Sequence, residues 1–280
     1  MKALTKCCVS FVLLFSLASC TWSQTEVMKG TVIIIGRTKD QVVVAADSRA
    51  TLKNSHNDDY CKISAFGNNL IFVSAGIRKF DLPGKAPAVW DSYKVARVAS
   101  IDQTKDVQRV AEDWGASSAG IIDPLASVNP LKFMRQLETH GKIITIGVFA
   151  GIDPDGGITA TYAKLIIHPA ASDASKVVTY AVQKNVSSST LIQWTIIGEA
   201  AIASEFLADK TPRARSGWAD GNSAPAEIDS QEDLALNAAR LVKWTIQYGP
   251  PSVGGMVDEI MVDKEGTHWL HRKVACKATE

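Results

Sequence analysis

Gly30-Thr-Val-Ile-Ile-Ile-Gly36 and Val42-Val-Val-Ala-Ala46 are the two stretches that decide the fold of this chain of 280 residues. Both are rich in β-branched residues, which favour strands, and the polar turn Arg37–Gln41 between them predicts a hairpin. Neither stretch alternates apolar with polar residues, so both faces of each strand are apolar. The pattern therefore predicts two strands that are covered on both sides.

Outward from this hairpin, strand and helix patterns alternate. Helical spacing of apolar residues predicts mainly helix over residues 86–140, and Ser230 with Asp233 predicts the cap of a strong amphipathic helix. The segment Asp153-Pro-Asp-Gly-Gly157 predicts a turn between two strands. In chain order, the other predicted elements are strands at 69–74, 142–150, 158–168 and 176–182, a helix at 200–208, a loop at 211–225, and strands at 255–262 and 267–274.

This order of elements predicts the architecture. Strands that are apolar on both faces need cover on both sides, and the helical segments between them can supply it. We therefore expect an α/β (α+β) chain folded as a four-layer αββα sandwich. No internal repeat, low-complexity tract or long linker interrupts the sequence after its N-terminal segment, so residues 31–280 are expected to form one domain.

The N-terminal segment has the pattern of an export signal. Lys2 and Lys6 supply positive charge ahead of the apolar run Val9–Leu17. That run is too short to be a durable transmembrane anchor. Residues 1–19 are therefore predicted to be a signal peptide.

The cleavage region leaves two outcomes open. Leu17-Ala-Ser-Cys20 resembles a bacterial lipobox, in which the cysteine is lipidated after cleavage. Simple secretion with cleavage near Ser19 or Ser23 is the alternative. Residues 20–30 are accordingly a propeptide or a lipid-anchored tether, and the protein is expected to be periplasmic, associated with the outer membrane, or secreted.

Composition excludes several classes of protein. The 30 Lys and Arg residues nearly balance the 29 Asp and Glu residues, giving a formal net charge of +1, so a nucleic-acid partner is not indicated. Hydrophobic residues make up 46% of the chain, as in an ordinary globular protein. Beyond the N-terminal segment only Cys61 and Cys276 remain, and they either form one disulfide or stay as two thiols.

Polar residues around the predicted hairpin carry the functional signal. Thr31 follows a glycine at the start of a strand, and Asp47-Ser-Arg-Ala-Thr51 follows the paired strand. Lys62 and Ser74-Ala-Gly76 come next. In residue types and spacing, this series resembles the proteasome β-subunit family of N-terminal nucleophile (Ntn) hydrolases. The resemblance extends weakly over most of residues 31–272.

The resemblance implies a set of roles. It implies autocleavage between Gly30 and Thr31, with Thr31 as the catalytic nucleophile and Asp47 and Lys62 as its catalytic partners. It also implies an oxyanion donor at the Gly76 N–H group and a structural role for Arg49 beside the site. Members of the family stack into rings, so the resemblance further implies a homo-oligomer, either a ring or a dimer.

The chemistry of such a site follows from its groups. A threonine hydroxyl is a poor nucleophile until a base removes its proton, and a free α-amino group with a pKa of about 7.7–8.0 can serve as that base. The amine of Thr31 becomes free only when the Gly30–Thr31 bond is cut. A Lys62 ammonium near Thr31 would stabilise the alkoxide, and Asp47 would pair with Lys62 because an unpaired buried charge is costly.

Each of these residues also has a purely structural interpretation. Gly30-Thr31 is then only the start of a strand, Asp47 and Arg49 are a solvated pair in a turn, and Lys62 is a surface lysine. The joint spacing of the residues favours the catalytic interpretation over these alternatives.

Two segments depart from the family pattern, and both concern the groups that orient the threonine amine. Where the family has a serine before a helix, this chain reads Gly198-Glu199, and its Asp-x-x-Ser-Gly-Gly segment is replaced by Pro250-Pro-Ser-Val-Gly-Gly255. Glu199 either supplies the missing polar contact or is only a carboxylate at a helix N-terminus. Ser252 offers a hydroxyl from the neighbouring position, which points to the opposite face if the segment is extended.

Three functions are consistent with the sequence. The first is an exported threonine hydrolase, a peptidase or amidase acting on peptides or small amides. The second is a catalytically inactive lipoprotein of the same fold that acts in binding or assembly. The third is an amidohydrolase of the same superfamily directed at a glycan or metabolite. No cofactor or metal is expected, because the histidines lack metal-ligand spacing and no phosphate-binding loop occurs.

Overall fold

A computed structural model gives the structure of residues 27–28, 31–52, 55–82, 85–136, 142–168, 176–185, 192–208, 231–274 and 276. The predicted signal peptide, Cys20, Gly30, the loop at 211–225 and the Ser230 cap lie outside these ranges. Within them, no helix is both long and apolar enough to cross a membrane.

The described elements are mainly strands, with helices in two groups. The strands are β1 (Val27–Met28), β2 (Val32–Arg37), β3 (Gln41–Asp47), β4 (Ala50–Leu52), β5 (Ser55–Asn57), β6 (Ile63–Phe66), β7 (Leu70–Ile77), β8 (Lys79–Leu82), β9 (Lys85–Asp91), β10 (Ile143–Ile152), β11 (Ile158–Ile167), β12 (Val178–Asn185), β13 (Gln193–Gly198), β14 (Val257–Asp263) and β15 (Gly266–His271). The helices are α1 (Ser92–Ala99), α2 (Val107–Ser127), α3 (Pro130–Gln136), α4 (Ala201–Ala208) and α5 (Gln231–Tyr248).

Two antiparallel sheets form the middle of the molecule. The first has the strand order β1-β7-β10-β11-β12, with β6 also paired to β7. The second has the order β13-β2-β3-β14-β15. Separate small hairpins are formed by β4 with β5 and by β8 with β9.

Separate apolar cores arrange these elements in layers. One core lies between the first sheet and helices α1 and α2, where Trp114 and Phe149 are fully buried. Another lies between the two sheets and contains Ile35 and Val148. A further core lies between the second sheet and helices α4 and α5, around Leu241. The α+β class is confirmed, and the cores follow the order helix, sheet, sheet, helix expected of the four-layer sandwich.

The predicted N-terminal hairpin is confirmed. Strands β2 and β3 pair antiparallel, with Ile34 opposite Ala45. Ile33 packs between the two sheets, whereas Ile34 packs against the helices of the second sheet. Successive side chains of a strand point to opposite faces, so a run without polar residues is buried from both sides.

The helical prediction over residues 86–140 begins too early. Lys85–Asp91 forms β9, and the first helix starts only at Ser92. Asp91 fixes this boundary, because its carboxylate accepts the backbone N–H groups of Tyr93 and Lys94 at the start of α1. Short apolar runs do not distinguish strand from helix by periodicity alone, which explains the error.

Cys61 and Cys276 form a disulfide with Cα atoms 5.4 Å apart, which settles the two alternatives left by the sequence. The bridge joins residues separated by 215 positions. It therefore ties the C-terminal part of the chain to the segment that leads into β6.

Candidate active site

The carboxylate of Asp47 is the centre of the candidate site. Asp47 ends β3, and its side chain is fully buried. Its Oδ1 atom accepts hydrogen bonds from the Lys62 ammonium at 2.7 Å and from the Val32 backbone N–H group at 3.0 Å. Its Oδ2 atom accepts from the N–H groups of Gly254 at 3.1 Å and Arg49 at 3.3 Å. Donors on both oxygens stabilise the ionised carboxylate.

Lys62 is buried with Asp47 and does not lie at the surface, so its interpretation as a surface lysine is wrong. Neither side chain of the pair has any exposed area. Burial lowers the pKa of Lys62 to about 8, and the charge of Asp47 acts against this shift. Burial also raises the pKa of Asp47, and Lys62 opposes that change. The Lys62 ammonium therefore loses its proton at a much lower pH than an exposed lysine does.

Thr31 lies where β2 begins, with only 2% of its surface exposed. Its carbonyl oxygen accepts the backbone N–H group of Glu199 at 2.9 Å. Gly198 makes this contact possible: its φ is +88°, and a Cβ atom there would overlap the Thr31 oxygen. Asp47 holds the next peptide through the N–H group of Val32. The backbone on the C-terminal side of Thr31 is thus fixed by Asp47 at the end of β3 and by Glu199, the residue that follows β13.

Gly76 lies on β7 and also needs to be glycine. Its φ is +105°, and a Cβ atom would approach the backbone oxygen of Ile144 to 2.7 Å. In the sheet Gly76 lies opposite Thr145 of β10 on one side and Met28 of β1 on the other. The segment that precedes Thr31 in the sequence therefore runs along the strand that carries Gly76.

Arg49 is paired with Asp58 and not with Asp47. Its Nε and Nη2 atoms donate to the two carboxylate oxygens of Asp58 at 2.6 Å and 2.7 Å, and its Nη1 atom donates to the Pro251 oxygen at 2.7 Å. A Cβ atom on Gly254 would overlap the guanidinium carbon. Arg49 therefore fastens the loop before β14 to the polar segment before β6, as a planar bidentate donor can.

Glu199 and Ser252 are the two residues that the sequence offers for orienting the Thr31 amine. Glu199 is exposed, and its contact with Thr31 comes from its backbone N–H group. Among the described residues, no side-chain hydrogen bond or ion pair is found for Glu199 or Ser252. Val253, which follows Ser252, is buried against the helices of the second sheet. The structure thus places a buried ammonium and a carboxylate beside the start of β2, and it shows no side-chain hydrogen bond of Glu199 or Ser252 with the described residues.

Residues 273 and 276, near the C-terminus, contact the two residues that precede Lys62. The sequence did not predict this role. Lys273 forms a second buried ion pair, with Asp258, at 2.8 Å. The Lys273 ammonium also donates to the backbone oxygen of Tyr60 at 2.7 Å. Together with the Cys61–Cys276 disulfide, this contact holds the residues immediately before Lys62.

Other contacts at the site were also missed by sequence reasoning. Asp58, the partner of Arg49, lies in a polar run that has no periodicity. Tyr93 donates its hydroxyl to the backbone oxygen of Lys62 from helix α1. Neither residue has a sequence signal, because each contact depends on how distant elements pack. Across the described ranges, no group of three or more His, Cys, Asp and Glu residues is arranged to hold a metal ion.

Comparisons with known proteins add little to this geometry. No protein-family model matches the chain, and no curated protein matches it. Among solved structures, the chain is similar to an Anbu (Gly-1) mutant from Hyphomicrobium sp. strain MC1. The two share 14% sequence identity, with 87% of this chain and 86% of that chain covered and a TM-score of 0.47. A similarity at this level says nothing about the site, whose description depends on the contacts of the chain's own residues.

Proposed function

We propose that this protein is an exported, proteasome-like threonine hydrolase, a peptidase or amidase with Thr31 as its N-terminal nucleophile. The observation that carries the proposal is the shared oxygen of Asp47. Oδ1 of Asp47 holds both the Lys62 ammonium, at 2.7 Å, and the first amide after Thr31, at 3.0 Å. A buried cation is thus fixed beside the start of β2, where a threonine alkoxide would need stabilisation.

The reaction begins with hydrolysis of the Gly30–Thr31 peptide bond, which consumes one water and frees the Thr31 amine. The amine removes the hydroxyl proton, and the Thr31 oxygen attacks the carbonyl carbon of the substrate amide. The Lys62 ammonium stabilises the oxygen of Thr31, and the Gly76 N–H group is the proposed donor to the oxyanion. The protonated amine then gives its proton to the leaving amine, and water hydrolyses the resulting ester.

A peptide is the substrate class that the sheet edge favours. Strand β1, which precedes Thr31 in the sequence, pairs antiparallel with β7 at Gly76 and Ile77. An extended chain can therefore lie beside Gly76 with backbone hydrogen bonds. Once the Gly30–Thr31 bond is cut, β1 is a separate segment, and a substrate peptide can take its place on β7 by adding a strand.

The disulfide favours the proposed export. Disulfides persist in oxidising compartments and are rare in the cytosol. The Cys61–Cys276 bridge is thus consistent with cleavage of a signal peptide and with lipidation at Cys20, which we propose attaches the chain to a membrane until the Gly30–Thr31 bond is cut. A homo-oligomer, as a ring or dimer, remains a proposal from the resemblance alone.

One observation favours the inactive alternative, a lipid-anchored protein for binding or assembly. The side chains of Glu199 and Ser252, the two candidates for orienting the Thr31 amine, make no hydrogen bond with the described residues. A site that cannot orient its base would lose much of its rate. Cleavage of the Gly30–Thr31 bond distinguishes the two functions, because the hydrolase requires it and a binding protein does not.

Intact-mass measurement of the purified protein tests the proposal. We expect wild type to begin at Thr31, the Thr31→Ala variant to keep its preceding segment, and Thr31→Ser to be processed because it retains a hydroxyl. Masses of the chain uncleaved at Gly30–Thr31 in both wild type and Thr31→Ala would overturn the hydrolase proposal and leave the binding protein. The spectrum of Thr31→Ala, which keeps the preceding segment, also reports any lipid on Cys20, and that lipid must be absent when Cys20→Ser is added.

A further inference from the structure

A cleft of about 310 Å³ lies between the edges of the two sheets. Strand β12 is the last strand of the first sheet and β13 is the first strand of the second, and both contribute to the walls of the cleft together with β10 and β11. Tyr162 and Ile197 of these walls belong to the core between the sheets. Residues two positions apart in a strand share a face, so Lys164 and Thr195 also point between the sheets.

Lys164 is a cation without a counter-charge on this face. It lies opposite Ile146 of β10, whose side chain packs against the core between the sheets. Lys164 is half-buried, and it forms no ion pair with the part of the chain that the structure describes. Of the described residues that line the cleft, Lys164 alone carries a charge. Partial burial weakens the solvation of the ammonium, so an anion that enters the cleft finds a cation that is not already paired.

The hydroxyl of Tyr162 is a second polar group without a partner. Tyr162 is only 6% exposed, and its hydroxyl oxygen is buried with no hydrogen bond to the described residues. A buried tyrosine hydroxyl normally has a hydrogen-bond partner. Gln183, which lies opposite Tyr162 on β12, and Thr195 also line the cleft, and neither side chain makes a hydrogen bond with the described residues. Polar side chains from three strands therefore meet at one cleft and leave donors available to a ligand.

The set of donors favours one kind of ligand. A lysine ammonium, two hydroxyls and a carboxamide can all donate hydrogen bonds, and a carboxylate accepts up to about four. One cation matches the single charge of a carboxylate, whereas a phosphate monoester carries about two. The apolar residues Ile146 and Ile197 adjoin these donors and suit a short hydrocarbon group. The volume of the cleft lies at the lower end of the range for small-ligand sites.

We propose that the cleft between β11 and β13 binds the carboxylate of a ligand that has a short apolar group, with Lys164 and Tyr162 as its main donors. Such a carboxylate belongs either to a free small acid or to the C-terminus of a peptide. The inference goes beyond the proposed function and does not depend on it, because the residues proposed for hydrolysis take no part in the binding.

Binding is tested by ligand-observed NMR titration of the Thr31→Ala variant, in which no turnover competes. The probes are 3-methylbutanoate and its neutral amide, 3-methylbutanamide. We expect the acid to bind about tenfold more tightly than the amide, because hydrogen bonds to a charged group are the stronger ones. Equal binding of the two, or binding of neither, would overturn the proposal. N-acetyl-valine reproduces the end of a peptide, so the tighter binder of N-acetyl-valine and 3-methylbutanoate identifies the favoured source.

Substitutions in the cleft test the location. Lys164→Met keeps most of the apolar stem and removes the charge, so it should abolish the preference for the acid. Lys132→Met, at an exposed position on α3, is the matched control and should leave the preference unchanged. An equal effect of the two lysine substitutions would overturn the proposed site.

Tyr162→Phe tests the buried hydroxyl. It should weaken binding of the acid about threefold or more, because the ligand loses a donor. The thermal midpoint of the unliganded variant should be unchanged or higher, since the hydroxyl has no hydrogen bond with the described residues to lose. A lower midpoint with unchanged binding would give the hydroxyl a structural role and contradict its part in the site.

Intact-mass measurement of the wild type keeps this inference separate from the proposed function. A chain that begins at Thr31 but shows no selectivity for the acid would retain the hydrolase and contradict the carboxylate site. A chain that stays uncut at Gly30–Thr31 and binds the acid selectively would retain the carboxylate site and contradict the hydrolase.

Discussion

Asp47 and Lys62 form a 2.7 Å ion pair from which solvent is excluded, since neither side chain has any exposed area. An ion pair in this setting contributes little net stability, because removing two charges from water offsets their attraction. What the ion pair determines is the position of the Lys62 ammonium. Asp47 also binds the amide of Val32, so the pair fixes a cation relative to the start of β2.

Removing one charge of the pair should be far more costly than removing both. Asp47→Asn leaves the Lys62 ammonium buried without its counter-charge, and we expect a loss of about 3–5 kcal/mol in the free energy of unfolding. The double variant Asp47→Asn with Lys62→Met should recover a large part of that loss. Urea unfolding of both single variants and the double variant measures the coupling, and additive losses would contradict the buried pair.

Activity should fall as the pH rises through about 8, the pKa of Lys62. The lysine is protonated below this pKa and neutral above it, and the neutral form cannot stabilise an alkoxide. Lys62→Arg keeps its charge because an arginine pKa exceeds about 12, so its rate, relative to its own maximum, should persist further into the alkaline range. Rates measured across the pH range for both proteins provide the check. Deprotonation of the Thr31 amine, with a pKa of about 7.7–8.0, causes the rising limb in both proteins, and an alkaline fall that is the same in Lys62→Arg would contradict the role of Lys62.

Gly198→Ala should disrupt the start of β2. The φ of Gly198 is +88°, and the added Cβ atom would overlap the Thr31 oxygen. We expect a loss of stability of at least about 1–3 kcal/mol, together with slower processing at Thr31. Gly120→Ala is the matched control, because no atom lies within 4 Å of its added Cβ, and it should stabilise helix α2 by about 0.5–1 kcal/mol.

Thermal unfolding and intact-mass analysis of the two glycine variants decide that prediction. Equal behaviour of Gly198→Ala and Gly120→Ala would show that the close approach to Thr31 is not needed.

Loss of the Cys61–Cys276 disulfide should lower stability by about 2–5 kcal/mol, because the bridge closes a very long loop. The double variant Cys61→Ser with Cys276→Ser avoids a free thiol. Urea unfolding with and without a reducing agent is the measurement: wild type should become less stable on reduction, and the double variant should not change. A wild type insensitive to reduction would contradict the role of the bridge.

The sequence allowed prediction of those parts of the fold that depend on local pattern. The apolar runs of β2 and β3 have one consistent interpretation, because a strand covered on both sides needs no alternation. Strand β9 was missed because a short apolar run fits either helix or strand, and only the carboxylate of Asp91 decides where α1 begins. The position of β13 in the sheet is determined by its pairing with β2, a contact between segments far apart in the sequence.

Some residues of the candidate site could likewise be predicted from the sequence, and others could not. Asp47 and Lys62 could be identified from their spacing through a family resemblance, and the structure brings them together. Asp58 and Lys273 could not, because nothing near them in the sequence indicates that one binds Arg49 and the other the carbonyl of Tyr60. Such contacts arise from packing between segments far apart in the chain.

The Cys61–Cys276 bridge also sets the order in which the site can be completed. Thr31 and Lys62 belong to the early part of the chain. The disulfide that holds Cys61, next to Lys62, is made by Cys276, near the C-terminus of the chain. A nascent chain therefore has all its proposed reactive groups before it has this support, and oxidation supplies the support last. A hydrolase built in this way would reach its final geometry only after synthesis is finished and the chain has met an oxidant.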